Sequence, residues 1–162
     1  MRVIELTRGK TTIVDDDVWE WASKVPWSAS YSKQGGNWYA IRTVTHLDGK
    51  RKCESLHRRI IRAVGMQKTD HKDGNGLNNL RSNLRICTDR QNHHNQKLRC
   101  DNTSGFKGVS LTTRPPNRYR ATIRINGRLL WLGSFESARQ AANAYNMAAT
   151  KYFGEFARLN PL

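Results

Sequence analysis

Acidic side chains are scarce in this 162-residue chain: 13 Asp and Glu stand against 28 Lys and Arg, a net charge of +15. Cysteine is scarcer still. Cys53, Cys87 and Cys100 form no Cys-x-x-Cys pair and are odd in number, which argues against a disulfide framework or a zinc ribbon and for reduced thiols. Apolar residues reach only 37%, a thin supply that favours small modules with modest cores over one large globule. No run approaches the roughly 20 apolar residues of a membrane helix. The opening MRVIELTRGK lacks the apolar centre of a secretory signal. The expectation is a protein that is neither secreted nor membrane-bound and works inside a cell.

The charge is unevenly spread. Residues 1–50 carry 7 basic and 6 acidic side chains, residues 51–98 carry 11 and 4, and residues 99–162 carry 10 and 3. An excess confined to the last two thirds, within patterned sequence, points to a polyanion partner, of which nucleic acid is the commonest. The aromatic residues (five Trp, five Tyr and four Phe) are enough to anchor small cores, so wholesale disorder is not expected.

Three segments separate by pattern. In residues 1–50, VIELTRGKTTIV and NWYAIRTVTHLDGKRKCESLH supply short β-branched and aromatic runs, punctuated by Gly9, Gly35-Gly36 and the hairpin pair Asp48-Gly49. DDDVWEWASKV between them reads as a short helix with acids in its first turn, ended by Pro26. LHRRIIRAVG places Leu56, Ile60, Ile61 and Val64 on one helical face, stopped by Gly65. In residues 51–98 the order is strand, polar loop, strand, helix. KDGNGLNN is turn chemistry, with Asn75, Asn78 and Asn79 read as chain-bending residues. NLRIC is a short strand, and Thr88 with Gln91 three residues on spells a capping box. In residues 99–162, FKGVSL, RYRATIRIN and RLLWLGSF read as three strands, turned at Pro115-Pro116-Asn117 and Asn126-Gly127. Ala138, Ala141, Ala142, Tyr145, Ala148, Ala149 and Tyr152 then recur at the three- and four-residue spacing of one helical face. Three strands with a helix across the back form a complete two-layer module.

The middle segment carries the chemistry. Phosphodiester hydrolysis needs a cation to stabilise phosphate charge, a base to activate water, and a scaffold that fixes the base. A hard divalent ion takes oxygen ligands, which Asp70 and an asparagine amide can supply. His71, one residue on in a strand, points to the opposite face if the pleat persists. Asn92 lies one turn into the capped helix and Asn95 shares its face.

DHKDGNGLNNLRSNLRICTDRQNHHN resembles the HNH endonucleases of the ββα-metal class, as found in phage and intron homing or nicking enzymes. The resemblance rests on Asp70-His71, Asp73-Gly74-Asn75, Asn83-Leu84-Arg85, Gln91-Asn92 and Asn95. It implies His71 as general base, Asp70 and Asn92 as ligands of one Mg²⁺ or Mn²⁺ ion, and Asn83 as the asparagine that fixes the loop and orients the histidine. His57, His93, His94 and Asn95 are secondary candidates, His93 and His94 as alternative ligands where many relatives carry a histidine. Cys87 reads as a small buried residue. The segment before it looks like the leader found ahead of such motifs in phage proteins, with Trp19, Trp21, Trp27 and Trp38 as core residues.

The third segment, with GFKGV, YRATIRING, WLGSF and KYFGEFA, resembles the AP2/ERF DNA-binding domain. Tyr119, Ala121, Ile123 and Ile125 face the helix by alternation, while Arg118, Arg120, Thr122, Arg124 and Asn126 face outward. Arginines at alternate positions can enter a major groove and read guanine or grip phosphate. Lys107, Ser110, Arg128 and Trp131 are expected on the same face. Plant members of that family carry Arg where this chain has Ser110 and Glu where it has Thr122, so their preferred DNA sequence does not carry over.

The expected architecture is α+β: a small β-rich N-terminal part (1–50), a ββα-metal nuclease motif (51–98) and a three-stranded antiparallel sheet packed on one helix (99–162). The expected function is metal-dependent cleavage of double-stranded DNA by a monomer more readily than a dimer, in the cytoplasm of a bacterial host if the gene is a phage's. The second reading is a DNA-binding regulator with a vestigial nuclease motif.

Overall fold

The computed structural model describes residues 1–33, 35–98, 101–112 and 118–162. The Pro115-Pro116-Asn117 turn and Cys100 lie outside them. The chain is mixed α+β and divides into two compact units, Met1–Asn92 and His93–Leu162. Among the described residues no helix is long and apolar enough to cross a membrane.

The first unit opens with an antiparallel pair, β1 (Arg2–Glu5) and β2 (Thr11–Val14), joined through a single 3-10 turn at Thr7–Gly9. Helix α1 (Asp16–Ala22) follows, with Asp16 and Asp17 in its first turn, where negative charge complements the helix dipole. It stops at Ala22, four residues before Pro26. β3 (Ser28–Ser32), β4 (Asn37–Thr45) and β5 (Arg51–Ser55) make an antiparallel sheet in that order, and β4 and β5 close through the expected Asp48-Gly49 turn. α2 (Leu56–Ile60) is shorter than its apolar spacing predicts. Arg62 adopts a φ of 52° and ends the helix three residues before Gly65, so Val64, expected on the buried face, is 67% exposed. β6 (Lys68–His71) and β7 (Leu84–Cys87) form a two-stranded ribbon, and α3 (Asp89–His94) follows.

One core serves the whole first unit. Val14 and Val18 from the N-terminal part, Trp27 and Ala40 from the sheet region, and Leu56, Ile60 and Leu84 from the motif all pack together. Trp19, Trp21 and Trp38 lie against this cluster, half-buried. The N-terminal 50 residues and the nuclease motif therefore share a single hydrophobic cluster.

The second unit carries β8 (Val109–Leu111), β9 (Tyr119–Ile125) and β10 (Arg128–Phe135) in an antiparallel sheet with β9 central. α4 (Ala138–Phe153) crosses its back, begun by a capping box between Ser137 and Gln140. Ala141, Ala142, Tyr145, Ala148 and Ala149 are buried against Ala121 and Ile123 as the alternation predicts, while Tyr152 is 45% exposed. The small alanines let helix and sheet approach closely. Gly108, at a φ of 75°, takes this furthest: a Cβ there would collide with the Tyr145 ring.

Candidate functional site

Asp70 and His71 end β6, opposite Arg85 and Leu84 of β7. Both are buried, with 7% and 5% of their surface exposed. The carboxylate of Asp70 accepts two hydrogen bonds on one oxygen, from Arg85 Nε at 2.9 Å and from its terminal nitrogen at 2.6 Å. The guanidinium is equally buried, so this is a charge-assisted pair withdrawn from water.

The polar loop between the strands is held by Asn83. Its Nδ2 donates to Asp73 Oδ1 at 3.0 Å and to the Asn78 carbonyl at 2.8 Å, and its Oδ1 accepts from the Asp73 backbone N–H at 3.1 Å. Asp73 also receives Asn75 N–H and Asn78 Nδ2 at 2.8 Å each. Burial alone would raise the Asp73 pKa. The bonds from Asn75, Asn78 and Asn83 outweigh it and hold the carboxyl below its ordinary range. Gly76 permits the loop to lie on β4, since a Cβ there would strike the Trp38 carbonyl and the Tyr39 ring.

The residue on the imidazole is Asn79, read from sequence as a turn former. Its Oδ1 accepts from His71 Nε2 at 3.0 Å, and the side chain is wholly buried. Two more rings complete the surroundings: His57 from α2, edge-on to His71 at 5.0 Å, and Tyr39 from β4 at 6.0 Å. Burial lowers the His71 pKa from its ordinary value, partly offset by the Asn79 bond and the charges of Asp73 and Asp70. A neutral imidazole at physiological pH is able to accept a proton. No periodicity or motif in the sequence marks Asn79 or Tyr39 as a neighbour of His71, and Arg85 belongs to the Asn83-Leu84-Arg85 run without a role assigned to it; only the fold brings them to the pair.

His57 is more perturbed. Burial, then the neighbouring His71 and Arg58, push its pKa down to about 3, and its buried Nδ1 has no hydrogen-bond partner among the described residues. The unfolded chain would bind this proton near pH 6.5 and the folded one would not, so stability falls as pH drops from 6.5 towards 3, by about 1.4 kcal/mol per pH unit. His57→Phe is expected to remove that part of the slope, measured by urea unfolding across the window. An unchanged slope would mean that His57 does not drive acid lability.

Asn92 is half-buried on α3, whose start is the predicted capping box: Gln91 N–H donates to Thr88 Oγ1 at 3.2 Å and Thr88 N–H to Gln91 Oε1 at 2.8 Å. His93, His94 and Asn95 belong to the second unit. There the His94 ring stacks on Phe153 with centroids 3.6 Å apart, Asn95 is buried and His93 is exposed. Among the described residues no three His, Cys, Asp or Glu side chains form a metal-binding group. The donor chemistry of Asp70 and Asn92, one carboxylate and one neutral amide oxygen, suits a hard divalent ion that keeps several waters. Such an ion would share the Asp70 carboxylate with Arg85.

In the second unit the outward sheet face carries Ser110 opposite Arg120, and Trp131 (64% exposed) opposite Thr122. Arg118, Arg120, Arg124 and Arg128 are exposed, but Arg128 pairs with Ile125, which packs on the α4 side, so it does not share the outward face as expected. Arg124 donates to the Gly127 carbonyl at 2.9 Å, and Arg118 lies 3.9 Å from Glu136. Lys107 differs from expectation. Its ammonium donates to the carbonyls of His94 at 2.6 Å and Gln96 at 3.0 Å, and burial followed by Arg158 lowers its pKa to about 8. A lysine committed to a helix end in this way has its charge already engaged.

Over 165 aligned residues the chain is 34% identical to an uncharacterized HNH endonuclease of Acanthamoeba polyphaga mimivirus, covering 97% of this chain and 79% of that protein. It is 39% identical over 59 residues to protein 3.8 of Escherichia phage T7, spanning 36% of this chain and 48% of that protein. It is also 42% identical over 69 residues to dehydration-responsive element-binding protein 2D of Arabidopsis thaliana, spanning 37% of this chain and 30% of that protein. No family model matches the chain. No solved structure matches it.

Proposed function

The chain belongs to the HNH endonuclease family, and on that premise we propose that it hydrolyses phosphodiester bonds of double-stranded DNA, cutting one strand per site in the manner of a nicking or homing enzyme. The observation that carries this reading is a buried imidazole, His71, whose Nε2 is anchored on Asn79 and which is adjacent in sequence to a buried carboxylate, Asp70.

His71 takes the proton of the attacking water. Asn79 and the loop closed by Asn83 hold the ring in place while it does so. Asp70 and Asn92 would hold the divalent ion, Mg²⁺ or Mn²⁺, which would supply positive charge to the scissile phosphate and the leaving oxygen. Burial around His71 keeps the ring unprotonated at neutral pH, the state a general base requires. The second unit grips DNA through Arg118, Arg120, Arg124, Arg128, Ser110, Thr122 and Trp131. Its partial likeness to a plant element-binding protein and the alternating arginines of β9 support this. With one such site in each chain, a monomer nicks one strand.

Incubation with supercoiled plasmid tests the reading. Nicked circles are expected with Mg²⁺ or Mn²⁺ and none with EDTA, and Asp70→Ala and Asn92→Ala are each expected to lower the rate by at least about 10-fold. DNA retarded equally in EDTA, with no nick under any metal, would replace this reading with a non-catalytic DNA-binding regulator.

A further inference from the structure

A second element, from the far N-terminal part of the chain, reaches the residue that holds the imidazole. Thr12 of β2 is wholly buried beside Asn79, and these are two of the largest fully buried side chains among the described residues. Backbone bonds clamp them together: Ile13 N–H donates to the Leu77 carbonyl at 3.0 Å, and Asn79 N–H donates to the Ile13 carbonyl at 2.8 Å. β2 thus forms a one-residue parallel bridge to Asn78.

The side-chain chain has only one consistent direction. Thr12 Oγ1 lies 2.7 Å from the Leu77 carbonyl, which can only accept, so the single hydroxyl proton points there. Towards Asn79, 2.7 Å away, the hydroxyl can then only accept, and the atom facing it is the amide nitrogen. The amide oxygen therefore faces His71 and accepts from Nε2. A neutral imidazole carries one proton, so Nε2 bears it and the basic lone pair sits on Nδ1.

We propose that Thr12 is a positioning residue of the nuclease site: its hydroxyl fixes the orientation of the Asn79 amide and thereby holds His71 in the tautomer whose base is Nδ1. The inference rests on the nuclease reading for its consequence, but its geometry involves neither DNA nor metal. Without the hydroxyl, the Asn79 NH₂ group loses its acceptor in a dry site, a loss that turning the amide over can relieve. The turned amide presents N–H to Nε2, which must then hold the lone pair, and the proton moves to Nδ1. The N-terminal pair of strands is in this way part of the catalytic apparatus, although it carries no catalytic residue.

The test is the tautomer itself, read from ¹⁵N–¹H correlations of the histidine ring in the full-length, metal-free protein above neutral pH. His71→Ala identifies the signal. The parent and Thr12→Ser, which keeps the hydroxyl, are expected to show a proton on Nε2. Thr12→Val, which matches the shape without the hydroxyl, is expected to lose that preference. In plasmid cleavage its kcat should fall by about 10–100-fold with KM for DNA unchanged, while Thr12→Ser stays near the parent. A parent protein with its proton on Nδ1 would overturn the proposal without reference to any variant. So would Thr12→Val with the parent's tautomer and the parent's kcat. The spectrum is read without cleavage, so this proposal and the nuclease reading stand or fall separately.

Discussion

Replacing His71 by alanine is expected to slow plasmid nicking by about 10²–10⁴-fold, the range lost when a general base is removed, while DNA affinity stays within about twofold because the substituted ring makes no uniform binding contact. The expectation follows from what surrounds the ring. His71 is 95% buried, its pKa is lowered by that burial, and its Nε2 is committed to Asn79. A structural histidine in the same place would equally be buried and bonded, so the discriminating measurement is the split between rate and binding. His71→Gln serves as the companion variant. It retains a polar group near Asn79 and fills more of the space, yet it cannot accept a proton at neutral pH. Both variants should bind plasmid as the parent does in a retardation assay and melt cooperatively, and both should fail to nick it. If either nicks at the parent rate, His71 is not the base.

The legible parts of this protein are those written in local patterns. The Thr88 and Gln91 capping box, the Asp48-Gly49 turn and the alanine face of α4 each depend on residues within a few positions of one another, and each forms as spelled. The alternation in β9 separates the buried Ala121 and Ile123 from the exposed Arg120 and Arg124. Asp70 and His71 were visible as a pair because their motif is contiguous. What escaped depends on contacts that composition does not carry. Asn79 looks like its neighbours Asn75 and Asn78, and its bonds to His71 and to Thr12, the latter 67 residues away in sequence, distinguish it. The β3 strand, SASYS, lacks the β-branched run that marks a strand and exists because Ala29 packs into the core beside Ala40. α2 reads as a longer helix because Val64 continues its apolar spacing, but the chain turns at Arg62 after the core-facing residues are spent. Lys107 was grouped with the basic sheet face by charge alone, and charge does not say which way a long side chain folds back.

Substituting Arg118, Arg120, Arg124 and Arg128 together by glutamine in the full-length chain is expected to weaken DNA binding by about 100-fold or more at moderate salt, since removing one arginine that grips a base edge in two-point fashion costs about 1–3 kcal/mol. The sharper readout is the salt dependence. Each phosphate contact releases condensed counterions and contributes about 0.9 to the slope of log affinity against log salt. Losing up to four contacts should flatten that slope by about 3 to 4 units if all four arginines meet phosphate, and by less where some read base edges instead. Trp131→Ala provides the contrast. The indole is 64% exposed on the same face but uncharged, so its loss should weaken binding with little change in slope. Arg118, Arg120 and Arg124 alternate onto the sheet face away from α4, while Arg128, exposed at the end of β10, pairs with Ile125 on the other side; they have few acidic partners: Arg118 stands 3.9 Å from Glu136, and Arg124 bonds a backbone carbonyl. Positive charge left unneutralised on a rigid sheet is available to a polyanion at little cost in ordering. A quadruple variant that kept both the affinity and the slope of the parent would mean that DNA is gripped elsewhere, and the basic residues of the first unit would then be the place to look.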